Sequence, residues 1–357
     1  MATGLYIAST AGYSGKNMII MGLGLLFQKL GLNVGYMKPI GAMPKEKDLK
    51  LGDEDAFFVR DILNLHDDPT LITPVVVTHD FIVNSFSGDA NQDLMPAIKD
   101  AYDTLSQGKD IMLVAGSGSM YSGRYCGLDG IRVASALGLK TILIDRYFQK
   151  ELDYDFILAL NDQLSGGMAG VIFNDIPPSY MKESETLIKP FLEKNGINVL
   201  AIIPRDPLMG AINVSDLADR LGGKLISAHT KADRIVENFL IGTMQVENFL
   251  THFRKNKNAA IIVGGDRSDV LLIALEGNCP CLVLTGNLYP TDIILKRAET
   301  SNVPIIVARE DTYTVAKRME AILSSHKLRD VIKIKHGAQL VSSCLDLPTL
   351  KKKIGLL

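Results

Sequence analysis

The sequence predicts a doubly wound, mostly parallel α/β sheet followed by a second, smaller α/β domain. Three observations predict it. Short runs of β-branched and apolar residues recur along the chain, continuous rather than alternating, as strands covered on both faces do. The segments between them are long enough for crossover helices, the connection that parallel strands require. Two prolines and a glycine between Pro204 and Gly210 then interrupt the pattern, which restarts beyond them.

In chain order, Gly4–Thr10 is the first expected strand, and an apolar helical stretch opens near Lys16. Strands are expected at Asn33–Lys38, Asp110–Gly116, Thr141–Arg146, Ala169–Asn174 and Asn198–Pro204. Past the break, an amphipathic pattern from about Lys231 to Phe253 reads as one long helix. Strands follow at Ala259–Gly265, Cys281–Gly286 and Val303–Glu310, and Asp311 or Thr312 offers an N-cap for a closing helix. The expected division is 1–208, 209–323 and a C-terminal tail, 324–357, basic at "LKKKIGLL". No low-complexity segment or short-period repeat is visible.

Composition narrows the function classes. With 38 basic against 40 acidic residues in 357, the chain lacks the basic excess of a nucleic-acid surface. Its longest nearly uncharged run, Asn17 to Gln28, is too short to span a bilayer. The start shows no signal-peptide pattern, so a cytoplasmic location is expected. Cys126, Cys279, Cys281 and Cys344 form neither a disulfide framework nor, with six dispersed histidines, a complete metal set. They read as reduced structural thiols.

The stretch "STAGYSGKN" carries the chemistry. A phosphate-binding loop reads G-x-x-x-x-G-K-[ST], between a strand and a helix. Here Gly12, Gly15 and the small Ser14, with Tyr13 between them, let backbone N–H groups approach phosphate oxygens. Lys16 is placed to reach the β/γ-phosphates, and the helix start adds a field that favours anions. This context gives the sheet the P-loop NTPase type. The last motif position departs: Asn17 stands where a Ser or Thr hydroxyl holds magnesium.

"STAGYSGKN", "GYMKPIG" (Gly35–Gly41) and "DEDAFF" (Asp53–Phe58) together resemble the dethiobiotin-synthetase-like P-loop proteins, and more closely the amino-terminal region of long phosphotransacetylases. The second unit is similar to the DRTGG domain of the same proteins, through "DRLGG" (Asp219–Gly223), "GDRSDV" (Gly265–Val270), "LTGN" (Leu284–Asn287) and "DTYTVA" (Asp311–Ala316). The resemblance covers about residues 3–322. No acetyl-transferring domain is expected in a chain ending at Leu357.

The resemblance implies roles residue by residue. Lys16 matches the phosphate-binding lysine, and Lys38 a second lysine facing substrate and γ-phosphate, the catalytic candidate if the site is active. Asp55 matches a carboxylate near magnesium, with Asp53 or Glu54 as further candidates, and Asn174 an asparagine on the adenine base. Ala115 stands where the family carries an acid, so magnesium loses one ligand there and has another altered at Asn17. The expected ligand is ATP or a related nucleotide, with Mg2+ possible but weakened.

In the second unit, Asp266, Arg267, Ser268 and Asp269 crowd one loop. Arg267 is placed to recognise a small charged ligand and Asp269 to cap the next helix; alternatively Arg267 pairs with the aspartates and the loop satisfies itself. The leading functional expectation is a nucleotide-binding regulatory or accessory protein with weak or absent hydrolysis. The alternative is an ATP-dependent carboxylate- or carbamate-activating enzyme resembling dethiobiotin synthetase or cobyrinic acid a,c-diamide synthase, with "VTHDFIVNSFSGD" (Val77–Asp89) lining a substrate cleft. A third reading is an assembly module with vestigial sites. A homodimer is expected by analogy of fold alone.

Overall fold

A computed structural model describes residues 2–87, 93–147, 151–324 and 331–356. The chain forms two compact units divided between Arg205 and Asp206, and its C-terminal helices return to the first.

The first unit is built on six strands: β1 Thr3–Ser9, β2 Val34–Met37, β3 Ile111–Ala115, β4 Lys140–Arg146, β5 Met168–Ile176 and β6 Val199–Pro204. They lie in the order β6-β5-β4-β1-β3-β2, and every pairing is parallel. All six strands expected from the apolar runs are present. Leu5, Ile7, Leu113, Ile142, Ile144 and Phe173 are fully buried, which is why these runs do not alternate. The chain enters at β1, crosses to β2, returns to β3 and then passes to the other side of β1. The end of β1 therefore lies at a topological switch point, where ligands of open α/β sheets bind.

Helix α1, Lys16–Lys29, follows β1. Gly22 and Gly24 within it mark close approaches. A Cβ on Gly22 would stand 2.8 Å from Cβ of Val341, and one on Gly24 2.6 Å from Leu63 Cδ2. The segment read as a tail thus holds helices Val331–Cys344 and Leu347–Ile354, whose Val341 and Leu350 are fully buried. Asp346 N–H donates to the Leu200 carbonyl of β6 at 2.7 Å.

A hairpin, Pro44–Lys47 with Lys50–Asp53, leads directly into helix α2, Glu54–Ile62. Helix His79–Ser87 occupies most of the stretch expected to line a cleft, and none of its residues is buried. Gly88 and Asp89 of that stretch lie outside the described residues.

The second unit carries β7 Lys224–Ser227, β8 Asn238–Ile241, β9 Ala259–Gly264, β10 Leu282–Thr285 and β11 Ile305–Val307, in the order β7-β11-β10-β9-β8. β7 is antiparallel and the other four are parallel. Alternate residues of the central strands feed two cores, with Ile261, Val263, Leu282 and Leu284 on one face and Ala260, Ile262, Cys281 and Val283 on the other. Cys279 and Cys281 are buried packing residues, and burial pushes the Cys279 thiol up to about 12.

One expectation fails. The pattern from Lys231 to Phe253 is not one helix but strands Ile235–Val236 and β8 followed by helix Val246–Phe253. Gly242 breaks the run, and a Cβ there would meet Val270 Cγ1 at 2.9 Å. The Ile, Val and Phe residues before it pair into sheets instead. The closing helix Thr312–Ser324 starts as expected, with Asp311 Oδ1 accepting from the Tyr313 and Thr314 N–H groups. Among the described residues no helix is long and apolar enough to cross a membrane.

Candidate functional site

The loop between β1 and α1 is held from behind by side chains of neighbouring strands. Gly15 adopts φ +96°, in the left-handed region, and a Cβ there would lie 2.3 Å from Asn174 Nδ2. Both facts require glycine. The Asn174 amide donates to the Ser14 carbonyl at 2.9 Å, and the buried Ser14 hydroxyl donates to the Ala11 carbonyl at 2.8 Å. Arg146, at the end of β4, donates from Nη1 to the Tyr13 carbonyl at 3.2 Å. Its guanidinium also clamps Asp175, which Arg205 holds from the other side. On the outer side of the loop, nothing among the described residues lies within 4 Å of a Cβ built on Gly12, and Tyr13 is exposed.

Thr10 donates to Asp145 Oδ1 at 2.5 Å, and Asp153 N–H donates to Asp145 Oδ2 at 2.8 Å. Burial raises the Asp145 carboxyl above its ordinary range, against these donors. Nothing in the motif signals Asp145. Its role follows from β4 lying beside β1.

Lys16 bends back over the end of the sheet. Its ammonium donates to the Ser9 hydroxyl at 2.6 Å and to the Gly118 carbonyl. Burial first and the Lys38 charge second lower its pKa to about 8, with Asp55 opposing both. Lys16, Lys38 and Asp55 therefore share one electrostatic site. Lys38 follows β2, with its N–H on the Ile72 carbonyl at 2.8 Å. Its side chain is 9 % exposed; Nζ lies 2.6 Å from Asp53 Oδ1 and 3.8 Å from Asp55 Oδ2.

Asp53 is the residue that motif matching undervalued. It is fully buried and N-caps α2, with Oδ1 accepting from the N–H groups of Asp55 and Ala56. Oδ2 accepts from the N–H of Met43 at 3.0 Å. An aspartate immediately before an apolar helical run is a cap signal, so the position was recoverable from sequence.

The donors for magnesium are few. Asn17 is half-buried in the first turn of α1, and Ala115 is buried at the end of β3. Asp53 already accepts from four donors, and Asp55 faces Lys38. Among the described residues no group of three His, Cys, Asp or Glu side chains could hold a metal ion. A magnesium ion on a nucleotide takes one or two oxygens from the protein and the rest from phosphates and water, and Asn17 and Asp55 are the candidate protein donors here.

In the second unit the charged loop satisfies itself. Arg267 forks onto Asp269, Nε to Oδ1 at 2.9 Å and Nη2 to Oδ2 at 2.8 Å, and Nη2 also reaches the Met244 carbonyl. Asp269 does not cap helix Ser268–Glu276, because it lies inside the first turn and Arg267 holds the cap position, without a side-chain cap bond. Asp266 folds back over Gly264, and Ser268 N–H donates to the Asp266 carbonyl at 3.0 Å. At the neighbouring strand end, the Thr285 and Thr312 hydroxyls meet at 2.9 Å.

Comparison with known proteins agrees with this architecture. Residues 3–213 match an AAA domain (AAA_26), and residues 216–322 match the DRTGG domain. Phosphate acetyltransferases from Synechocystis sp. and Pseudomonas putida are 23% and 25% identical, over 97% and 98% of this chain but 51% and 52% of their own length. The chain thus spans about half the length of these relatives. The ATP-dependent dethiobiotin synthetase BioD of Methanocaldococcus jannaschii is 29% identical over 121 residues, 32% of this chain and 53% of that protein. Among solved structures, the septum site-determining protein MinD with Mg-ADP from Pyrococcus horikoshii overlaps 58% of this chain and 84% of its own at 17% identity and TM-score 0.36. The CBS and DRTGG regulatory region of Clostridium perfringens pyrophosphatase, complexed with diadenosine tetraphosphate, overlaps 43% of this chain and 74% of its own at 18% identity and TM-score 0.29. By the match over residues 3–213, more than half its length, the chain belongs to the AAA domain family and carries a DRTGG domain behind it.

Proposed function

We propose that the chain binds ATP or a related nucleotide at the loop Gly12–Asn17 and acts as a regulatory or accessory module, with hydrolysis weak or absent. The observation that carries this reading is the pair of ammonium groups, Lys16 and Lys38, coupled in one site at the mouth of a braced phosphate loop. Two ammonium groups and the backbone N–H groups of a glycine-rich loop at a helix start supply what a polyphosphate needs for binding. The similarity to ATP-dependent dethiobiotin synthetases points to the same ligand. Turnover needs more. Phosphoryl transfer rests on metal-assisted charge stabilisation and positioning, and the donor set at Asn17, Asp55 and Ala115 is poor in metal ligands. The second unit would relay the nucleotide state, with or without a small charged ligand at Asp266–Asp269.

The test is calorimetric titration of ATP, with and without magnesium, into the wild type and Lys16→Ala. Binding that Lys16→Ala abolishes, with little magnesium dependence and no phosphate release, supports the reading. No binding to the wild type at millimolar ATP refutes it. The enzyme alternative keeps one observation in its favour, the Lys38–Asp55 pair beside Lys16. Magnesium-dependent phosphate release stimulated by a small carboxylate would favour that alternative.

A further inference from the structure

We infer that Asp53 is the positioning residue for Lys38, a buried carboxylate clamp that presents the Lys38 ammonium beside Lys16 to one anionic ligand. The inference rests on the nucleotide-binding reading above and adds to it a residue that touches no ligand.

The clamp draws on several chain segments. Asp53 Oδ1 receives Lys38 Nζ at 2.6 Å and the N–H groups of Asp55 and Ala56 at 2.9 and 3.0 Å, while Oδ2 receives Met43 N–H at 3.0 Å. One carboxylate thereby joins the end of β2, the hairpin and the start of α2. Its fit is specific. A Cβ on Gly41 would stand 2.6 Å from Asp53 Cβ and 2.7 Å from Thr73 Cγ2, so only glycine lets Asp53 seat here. Pro39 restricts the backbone of Lys38, and the Ile72 carbonyl fixes its N–H. A lysine side chain is otherwise long and mobile, and Asp53 removes that freedom before any ligand arrives. Asp55, 3.8 Å from Lys38, is the looser carboxylate of the two.

Positioning and plain electrostatics predict opposite signs. Asp53→Asn removes a negative charge next to an anion site, so the field alone would tighten ATP binding. If Asp53 acts by holding Lys38, the same substitution weakens it.

The experiment is a double-mutant cycle on the full chain, with ATP affinity measured by calorimetry for wild type, Asp53→Asn, Lys38→Met and the double variant. Each single substitution is expected to weaken binding about tenfold, and the double no more than about twofold beyond the worse single, because both act through one ammonium. Asp53→Asn binding as well as wild type or better overturns the inference, as does a double variant losing the product of the two single effects. A second readout needs no nucleotide: the 15N–1H signal of the Lys38 ammonium, assigned by its loss in Lys38→Met. A clamped ammonium gives this signal in wild type, and Asp53→Asn loses it. Its absence from wild type, or its persistence unchanged in a folded Asp53→Asn, overturns the inference. Should Asp53→Asn not fold, Asp53→Ser removes the charge while keeping a cap. If wild type binds no ATP, the proposed function fails by itself, and the ammonium signal still decides the clamp.

Discussion

Lys38→Met and Asp53→Ala remove opposite ends of one buried pair, yet the structure predicts unequal costs. After Lys38→Met, Asp53 keeps three backbone N–H donors, from Met43, Asp55 and Ala56, so its charge is not left bare. The loss is one charge-assisted hydrogen bond, about 2 kcal/mol, offset in part by the apolar Met side chain. Asp53→Ala removes the α2 cap, costing about 1 kcal/mol, and the acceptor of Met43 N–H, costing about 1 kcal/mol more. It also leaves Lys38, among the described residues, with Asp55 at 3.8 Å as its acidic neighbour, and a poorly paired buried charge costs about 3 kcal/mol. Asp53→Ala should therefore destabilise the first unit at least twice as much as Lys38→Met. Urea unfolding followed by circular dichroism measures this, since the chain has no tryptophan to report by fluorescence. On the proposed reading, the transition of the first unit is the one that ATP would shift. With a slope of about 2–3 kcal/mol per molar urea, the midpoints of the two variants should differ by about 1 M. Equal costs, or a larger cost for Lys38→Met, would refute the account of Asp53 as a carboxylate solvated by backbone donors.

Other outcomes follow from the same geometry. On the proposed nucleotide-binding reading Lys16 would hold phosphate only in its charged form, and its pKa is lowered to about 8, so ATP affinity should fall by up to about tenfold per unit as pH rises past that value. Lys16→Arg, which stays protonated, should flatten this dependence if it binds; a wild-type affinity flat across the same range contradicts the assignment. Gly15→Ala meets both the positive φ and the Asn174 amide at 2.3 Å, and should lower ATP affinity at least about tenfold while costing about 2 kcal/mol of stability. Unchanged ATP affinity in that variant would place the ligand elsewhere. Gly22→Ala gains about 1 kcal/mol of helix propensity but forces a Cβ against the stiff Val341, an overlap costing about 2 kcal/mol, for a net loss of about 1 kcal/mol. Thermal unfolding decides the sign, and Val341→Ala in the same chain should recover most of the loss.

The sheet was legible because a parallel strand buried on both faces has little choice of residue. Each apolar run expected as a strand in the first unit became one, and the glycine-rich turn after the first of them lies at the switch point. The pattern from Lys231 to Phe253 was not legible by the same logic. Its apolar positions suit a helical period, but Gly242 and the β-branched residues before it are committed by pairing with distant strands, which no local window reports. The closing tail was obscure for a related reason. What fixes helix Val331–Cys344 is the close approach of Val341 to Gly22, more than three hundred positions away in sequence.

For the site, motif matching found the charged residues and passed over those that hold them. Lys16, Lys38 and Asp55 stand in quoted motifs. Gly118 and Asp145 do not, because their roles arise from strand order: β3 and β4 flank β1 and bring a carbonyl and a carboxylate to its end. Asp53 is the instructive case. A motif aligned on Asp55 treats its neighbours as interchangeable acids, yet the two differ by position on the helix. The cap residue turns inward, where its oxygens meet the first free N–H groups of α2, while Asp55, in the first turn, approaches Lys38 only at 3.8 Å. A buried acceptor with several donors orders a lysine better than a more exposed one with the same charge. The carboxylate one would nominate from the family motif for a metal is thus the weaker partner of Lys38, and the one that a cap argument nominates does the holding.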